Sequence, residues 1–262
     1  MYAFEFKRPS TVAEAVEALG AEEAQALGGG QTLIPTLKQR LAAPALLVSL
    51  NGIDEIKGVR VEGGAVCVGG GTPHAVAARE AAASFPALAA LAGNIGDPAV
   101  RNRGTVGGSL ANNDPSADYP AAALATGATI VTNTREIAAD DFFDGMFTTA
   151  LAEGEIITEV RFPIPQAANY QKFEQPASRF ALTGVFVAKY PDGVRVAVTG
   201  ASGDGVFRWS EAEAALSSDF SAGAVSGLSV DADGMIADLH GSAAYRAHLV
   251  KVLTGRAVTA AG

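Results

Sequence analysis

The sequence predicts a mixed fold of the α+β (α/β) class, and three observations along its 262 residues support this prediction. Apolar strands alternate with amphipathic helices over residues 1–52, which is typical of a small parallel sheet with crossover helices. Hairpins with glycine turns follow from residue 53, which indicates antiparallel pairing. A proline-rich segment at residues 163–165 then separates a last part with its own strands and helices.

The first part is predicted to run in the order strand, helix, strand, glycine loop, helix, strand. Ser10 and Thr11 precede Glu14 in the spacing of a capping box, and apolar residues recur at helical intervals until Gly20 ends the run. The next predicted elements are a brief buried strand over 24–27, a helix over 33–41 and an apolar strand over 46–50.

The second part is expected to be mainly antiparallel. Strands at 56–61 and 65–68 flank the turn Glu62-Gly63-Gly64, and Thr72-Pro73 suit the N-cap and first position of a helix reaching about Ser84. The remaining predicted elements are a helix over 86–93, a long loop over 94–118, a helical turn over 120–125, and strands over 129–132 and 155–162.

The third part predicts a separate α+β domain. Its expected elements are paired strands at 180–188 and 194–200 around a turn at 191–193, and helices at 210–217 and 241–253. The predicted organisation is therefore one domain over 1–165, with subdomains of about 1–52 and 53–165, and a second domain over 166–262.

Composition excludes several classes of function. The net charge of −9 argues against a nucleic-acid partner, so an anionic ligand would be held by backbone amides and a few basic side chains. The single cysteine, Cys67, excludes an internal disulfide and a four-thiolate cluster, and its setting indicates a buried apolar residue. The three histidines lack metal-ligand spacing and are expected to be exposed or capping. No signal peptide or membrane span is predicted, so the expected location is cytoplasmic.

Two glycine-centred segments carry the functional prediction. Gly28-Gly29-Gly30-Gln31-Thr32 follows a predicted strand, and Arg103-Gly104-Thr105-Val106-Gly107-Gly108-Ser109 comes about 70 residues later. Each places adjacent glycines beside hydroxyl or amide side chains, so that backbone N–H groups can approach a phosphate. The first segment is not the dinucleotide fingerprint, because Leu33 stands where the third glycine belongs. Taken alone, either segment could be a structural turn or loop.

Both segments, together with Phe142-Phe143-Asp144-Gly145 and Glu155-Ile156-Ile157, resemble the FAD-binding medium subunits of molybdenum hydroxylases, the family of carbon monoxide dehydrogenase and xanthine dehydrogenase flavoprotein subunits. The resemblance implies FAD as the cofactor. It also implies the two-subdomain FAD-binding fold of the vanillyl-alcohol oxidase type, followed by a small C-terminal α+β domain.

The resemblance assigns expected roles to individual residues. One side of the FAD diphosphate would be wrapped by Gly28, Gly29, Gly30, Gln31, Thr32 and Leu33, and the other held by amides and hydroxyls of Thr105, Gly107, Gly108 and Ser109. Asn112 and Asp118 would reach the ribityl chain, Ile156 and Ile157 would pack on the adenine, and Lys172 would approach the isoalloxazine edge. Glu174-Gln175-Pro176 departs from the family pattern, which puts the role of Lys172 in doubt. Ile156 and Ile157 could equally be strand core.

The resemblance further implies an electron-transfer subunit without catalytic or metal-binding residues of its own. Its partners would be a molybdopterin-binding large subunit and a [2Fe–2S] small subunit, in a dimer of heterotrimers. Two alternatives stay open at this point. The chain could be a self-sufficient FAD-dependent oxidoreductase of the same fold, or a non-catalytic scaffold that has lost the cofactor.

Overall fold

The computed structural model describes residues 1–262 and contains three sheets in chain order. The first sheet unit has three parallel strands in the order β1-β3-β2. Its elements are β1 (Glu5–Lys7), α1 (Val12–Leu19), β2 (Ala24–Leu27), α2 (Leu33–Lys38) and β3 (Leu46–Ser49). This is the parallel arrangement that the alternation of strands and helices predicts. Strand β2 is only half-buried rather than buried, because it lies at the edge of the sheet.

Helix α1 begins at the predicted capping box. The Glu14 N–H donates to Thr11 Oγ1 at 3.2 Å, and the Glu14 carboxylate accepts from the Ser10 N–H at 2.8 Å. One face of the helix packs on the sheet. The small core formed there contains Ala15, Ala18, Leu19, Leu46, Val48, Ile53, Ile56 and Ile156.

The second sheet unit has five antiparallel strands in the order β4-β5-β8-β6-β7. Two short 3-10 turns, Leu50–Gly52 and Asp54–Ile56, lead into it. Its strands are β4 (Val59–Glu62), β5 (Ala65–Gly69), β6 (Thr129–Thr132), β7 (Glu136–Ala138) and β8 (Ile157–Pro163), with a 3-10 turn at Ala139–Asp141. Its helices are α3 (His74–Glu80), α4 (Pro86–Gly93), α5 (Pro98–Arg101), α6 (Val106–Asn112) and α7 (Tyr119–Thr126).

The prediction of a continuous irregular loop over 94–118 is wrong. Two short helices, α5 and α6, lie within it. Helix α6 forms because Thr105 caps it, accepting the Gly108 N–H at 3.1 Å, while Val106 and Leu110 are fully buried. The glycine pair of the second segment therefore lies in the first turn of a helix. Thr72 does not cap α3, whose N-cap is Pro73, because the Thr72 hydroxyl accepts the Gly58 N–H at 2.9 Å.

The third sheet unit has four antiparallel strands in the order β12-β11-β10-β9. Its elements are β9 (Ala167–Glu174), β10 (Ala181–Tyr190), β11 (Gly193–Thr199), β12 (Phe207–Arg208), α8 (Ser210–Ser218), a 3-10 turn at Ala222–Val225 and α9 (Ala243–Ala261). No helix in the structure is both long enough and apolar enough to cross a membrane.

The third sheet is covered on both faces. One face packs on α8 and α9 in a core of sixteen buried residues, which includes Trp209. The other face contributes Phe186, Ala188 and Ala197 to the 29-residue core of the second sheet unit. The segment between β8 and β9 is a connection of three residues, so the two sheets are closely joined at the predicted linker. The division into domains at residue 165 stays a prediction.

Strand β11 also holds the segment that joins α6 to α7. Thr199 Oγ1 lies 2.7 Å from the Ala117 carbonyl oxygen and 3.0 Å from that of Pro115, and the Gly200 N–H donates to Pro115 O at 2.7 Å. The buried Arg246 guanidinium donates to Gly200 O at 2.8 Å. The third sheet unit therefore fixes the backbone immediately before α7.

We expect Thr199→Val to lower the free energy of unfolding by about 1–3 kcal/mol, because an isosteric side chain leaves a buried carbonyl without its donor. Thr199→Ser keeps the hydroxyl and should retain most of the stability. Thr254→Val is a matched control, since the buried Thr254 hydroxyl donates to Val250 O within α9. Urea unfolding of the three variants checks this, and equal stability of Thr199→Val and Thr199→Ser would contradict it.

Candidate functional site

A cleft with a volume of about 350 Å³ lies between the first and second sheet units. Both glycine segments line it, as does the segment that precedes β8. The predicted site residues at its walls are Gly28, Gly29, Gly30, Gln31, Thr32, Leu33, Thr105, Gly107, Gly108, Ser109, Asn112, Asp118, Ile156 and Ile157. Lys172 is the one predicted site residue that does not line the cleft.

The two glycine segments meet backbone to backbone. A Cβ atom on Gly29 would overlap the Arg103 carbonyl and lie 2.6 Å from the Gly104 Cα atom. A Cβ atom on Gly28 would lie 3.1 Å from Thr105 Oγ1. Only glycine permits this approach, so the first segment is glycine-rich because it must touch the second.

The first segment leaves a row of backbone donors free. The N–H groups of the five residues from Gly28 to Thr32 have no acceptor within the chain. Their carbonyls are committed instead: Asn51 Nδ2 donates to Gly28 O at 3.2 Å, Gln31 Nε2 to Gly29 O at 3.2 Å, and the Ile34 N–H to Gly30 O at 3.0 Å. Gly30 adopts a left-handed φ of 72°. Consecutive free N–H groups around such a turn form an anion-binding concavity.

The second segment differs, because most of its backbone donors are already used and only the Thr105 N–H has no acceptor within the chain. The Gly107 N–H donates to Gly70 O at 2.8 Å, the Gly108 N–H to Thr105 Oγ1, and the Ser109 N–H to Thr105 O at 2.9 Å. The expectation that backbone amides of this segment hold a ligand is therefore wrong for Gly107, Gly108 and Ser109, whereas the Thr105 N–H remains free. The side chains of Ser109 and Asn112 have no partner in the chain and line the cleft, so they can act as donors there together with the Thr105 N–H.

Gly107 and Gly108 have different structural reasons to be glycine. A Cβ atom on Gly107 would lie 2.7 Å from the Gly70 carbonyl oxygen, so this residue allows α6 to pack on the end of β5. Gly108 is exposed to the cleft, and a Cβ atom there would meet only the Thr105 hydroxyl, at 2.8 Å. Gly108 thus keeps space open at the cleft wall, whereas Gly107 serves packing.

Asp118 and Lys172 form a buried ion pair at the inner end of the cleft. Lys172 Nζ lies 3.1 Å from Asp118 Oδ1, and the Tyr170 hydroxyl donates to the same oxygen at 2.6 Å. Lys172 Nζ also donates to the carbonyls of Asn94 and Arg179, both at 2.9 Å, which uses all three of its hydrogens. Burial raises the pKa of Asp118, while Lys172 and Tyr170 oppose the rise. Lys172 therefore neutralises and positions Asp118 without lining the cleft itself.

Ile156 and Ile157 are buried core residues with edges on the cleft. Ile156 is 3% exposed and packs with the first sheet unit, and Ile157 is 5% exposed and packs with the second. Their neighbour Glu155 also lines the cleft, but its carboxylate is saturated. It accepts from Arg135, Thr132, Thr134 and the Ala152 N–H, and the Arg135 hydrogen bonds lower its pKa to about 2. Glu155 is therefore committed to structure and holds no proton at neutral pH.

His74 is a cleft residue that the sequence did not reveal. The expectation of an exposed or capping histidine is wrong, since His74 is 4% exposed and lines the cleft. Burial, followed by the charge of Arg101, lowers its pKa to about 4. The run Gly69-Gly70-Gly71 just before it was the available signal, because consecutive glycines mark close backbone packing. Cys67 is buried as predicted, and no group of acidic, histidine or cysteine side chains could hold a metal ion.

Comparison with known proteins places this geometry in a family. Residues 2–165 match the model described as the FAD binding domain in molybdopterin dehydrogenase. The chain is similar to the carbon monoxide dehydrogenase medium chain of Hydrogenophaga pseudoflava, with 34% identity over 98% of this chain and 96% of that protein. It is equally similar to the nicotine 6-hydroxylase medium subunit of Paenarthrobacter nicotinovorans, with 34% identity over 99% and 98% of the two chains.

A solved structure agrees with the sequence relatives. The chain superposes with a TM-score of 0.89 on carbon monoxide dehydrogenase from Hydrogenophaga pseudoflava, in a form that lacks the Mo-pyranopterin moiety of the molybdenum cofactor. The match has 34% identity and covers 99% of this chain and 97% of that one. The predicted fold class and the family resemblance are confirmed.

We expect Lys172→Met to destabilise the chain by about 3–5 kcal/mol at neutral pH, because it leaves the Asp118 carboxylate buried without its counter-charge. The same change raises the pKa of Asp118 further above its unfolded value. The folded state then binds more protons than the unfolded state, so the loss should shrink as the pH falls.

Urea unfolding at two pH values checks this expectation. Lys57→Met is the control, because it breaks an exposed ion pair with Asp54 at 2.8 Å and should change stability little. A Lys172→Met protein as stable as the unmodified chain at neutral pH would show that the buried pair is not structural.

Proposed function

The chain belongs to the family of FAD-binding medium subunits of molybdenum hydroxylases, and from this premise we propose that it passes electrons from an iron–sulfur subunit through FAD to an external acceptor. It is an oxidoreductase component, and FAD is its cofactor. The single observation that carries the proposal is the row of free N–H groups from Gly28 to Thr32, whose residues line the cleft.

The free N–H groups support a diphosphate site at the first segment. An anion held there accepts several hydrogen bonds from neutral donors, so a chain with a net charge of −9 needs no cationic cluster to bind it. The opposite wall would add the Ser109 hydroxyl and the Asn112 amide. Asp118, held by Tyr170 and Lys172, would accept hydrogen bonds from ribityl hydroxyls, and Ile156 and Ile157 would offer apolar surface to the adenine.

Four titratable side chains line the cleft, and one of them, Asp114, accepts the Ser116 N–H at 2.9 Å. Glu155 is saturated with hydrogen bonds, Asp118 is buried in an ion pair, and His74 is a neutral imidazole whose Nδ1 is buried. The bound FAD supplies the redox chemistry, and these residues bind and orient it. We therefore favour electron relay over the alternative of a self-sufficient FAD-dependent oxidoreductase.

The proposed partners follow from the family and from the cysteine count. Cys67 is the only cysteine and is buried, so the [2Fe–2S] clusters of a complex would lie on another chain. We propose a molybdopterin-binding large subunit and a [2Fe–2S] small subunit as partners, in a dimer of heterotrimers located in the cytoplasm. The relatives' names describe medium chains or subunits, which supports a complex of several chains.

We expect the chain to bind FAD noncovalently and to recognise its diphosphate. Acid precipitation should release FAD, ADP should compete with FAD for the apoprotein, and riboflavin should not, because only the first two carry a diphosphate. Gly29→Ala should abolish binding, since its Cβ atom overlaps the Arg103 carbonyl. Gly227→Ala is the control, because no atom lies within 4 Å of the added Cβ.

Calorimetric titration of the apoprotein with each compound checks this result. Competition by riboflavin as strong as that by ADP would contradict a diphosphate site, whatever the fate of the Gly29 variant. Circular dichroism of both glycine variants separates a loss of binding from a loss of folding.

Electron relay predicts that the isolated chain does not turn over organic substrates. Aldehydes, purines and N-heterocycles should leave the absorbance of its FAD unchanged under anaerobic conditions, because the cleft supplies no base to activate them. The complex reconstituted with large and small subunits, given the substrate of the large subunit, should bleach the same absorbance. Rapid bleaching by the isolated chain would instead establish the self-sufficient flavoenzyme.

A further inference from the structure

His74 is enclosed beside the point where the two glycine segments meet. Its backbone N–H donates to Gly104 O at 2.9 Å, and a Cβ atom on Gly104 would lie 2.6 Å from His74 Nε2. Gly104 in turn is the residue that Gly29 touches. The imidazole therefore lies against the floor of the cleft, next to the row of free N–H groups.

The two ring nitrogens of His74 have different surroundings. Nδ1 is completely buried and has no hydrogen-bond partner. Nε2 also lacks a partner in the chain, but it is not among the fully enclosed orphaned atoms, and His74 lines the cleft. Nε2 is thus the nitrogen that a ligand in the cleft can reach.

Tyr119 lies beside His74, although no hydrogen bond joins its hydroxyl to Nδ1. Its hydroxyl is also completely buried without a partner, and its ring centroid lies 5.3 Å from that of His74. A hydroxyl needs an acceptor, and a neutral imidazole nitrogen without hydrogen is one. If Nδ1 carried the hydrogen, the Tyr119 oxygen could accept it, but the hydrogen of the Tyr119 hydroxyl would then be buried without an acceptor, which costs free energy. The hydrogen of the neutral imidazole therefore belongs on Nε2.

We propose that His74 is an FAD-binding residue, which donates a hydrogen bond from Nε2–H to a diphosphate oxygen, while the buried hydroxyl of the neighbouring Tyr119 favours the required tautomer. This inference rests on the proposed function, because it assigns a side chain to the same cofactor site. The low pKa of His74 agrees with a neutral donor. A polar group near the ring nitrogen that does not contact the ligand is a general way to set a histidine tautomer.

Affinity measurements on the full chain test the contact. His74→Leu should weaken the binding of both FAD and ADP about tenfold, the loss typical of one hydrogen bond to a charged acceptor. His74→Gln, whose side-chain amide can place a donor near the position of Nε2, should restore part of the affinity. His248→Leu removes an exposed histidine and should leave both affinities unchanged.

Nitrogen NMR of histidine-labelled protein reads the tautomer directly. The exposed His240 and His248 serve as internal references, and the His74 signals should show hydrogen on Nε2 and a bare Nδ1, with Nε2 shifting when FAD or ADP is added. The isosteric Tyr119→Phe should give a mixture of tautomers and a severalfold weaker FAD affinity in a folded protein. A merely structural histidine would not couple its Nε2 signal to ADP.

The outcomes separate this inference from the proposed function. If the unmodified chain binds FAD while His74→Leu binds FAD and ADP equally well, the His74 contact is wrong and the proposed function stands. Hydrogen on Nδ1, or an Nε2 signal that ADP leaves unmoved, also overturns the contact. If the unmodified chain binds neither compound, the proposed function itself fails.

Discussion

The structure depends on backbone surfaces that meet without side chains between them. Gly29 lies on the backbone of Arg103 and Gly104, Gly107 lies on Gly70, and Gly70 in turn lies on the Ile157 carbonyl. These contacts join the parallel sheet, helix α6 and the end of strand β8 along one line. Because each tolerates no Cβ atom, the separation of these segments is set by backbone packing rather than by side chains that could change rotamer.

Local signals explain which parts of the fold the sequence could predict. The capping box before α1, the glycine turn between β4 and β5, and Pro86 at the start of α4 each act within a few residues. Strand β9 was missed because its residues, Ala167–Glu174, lack apolar alternation, and its pairing with β10 decides its conformation. Helix α6 was missed because its glycines argue against a helix until Thr105 caps it and the core receives Val106 and Leu110.

The candidate site was likewise predictable from the sequence only in part. The glycine segments located its walls, since runs of glycine are visible without a structure. Which N–H groups are free could not be read, because the acceptors for the second segment, Gly70 and Thr72, come from a different part of the chain. The burial of His74 is likewise a tertiary property, set by Gly104 and Tyr119. Residue types thus indicate where a ligand binds, and the packing decides which atoms bind it.

The row of free N–H donors from Gly28 to Thr32 affects the stability of the chain before FAD is bound. These N–H groups make no internal hydrogen bonds in the apoprotein. The free energy of hydrogen bonds to them is therefore gained only when the ligand binds. By mass action, free ligand at 100 times its dissociation constant adds about 2.7 kcal/mol to the stability of the native state. The resistance of newly made chains to proteolysis should therefore rise with the cellular concentration of FAD. The supply of FAD would then influence how much of this subunit is available for assembly.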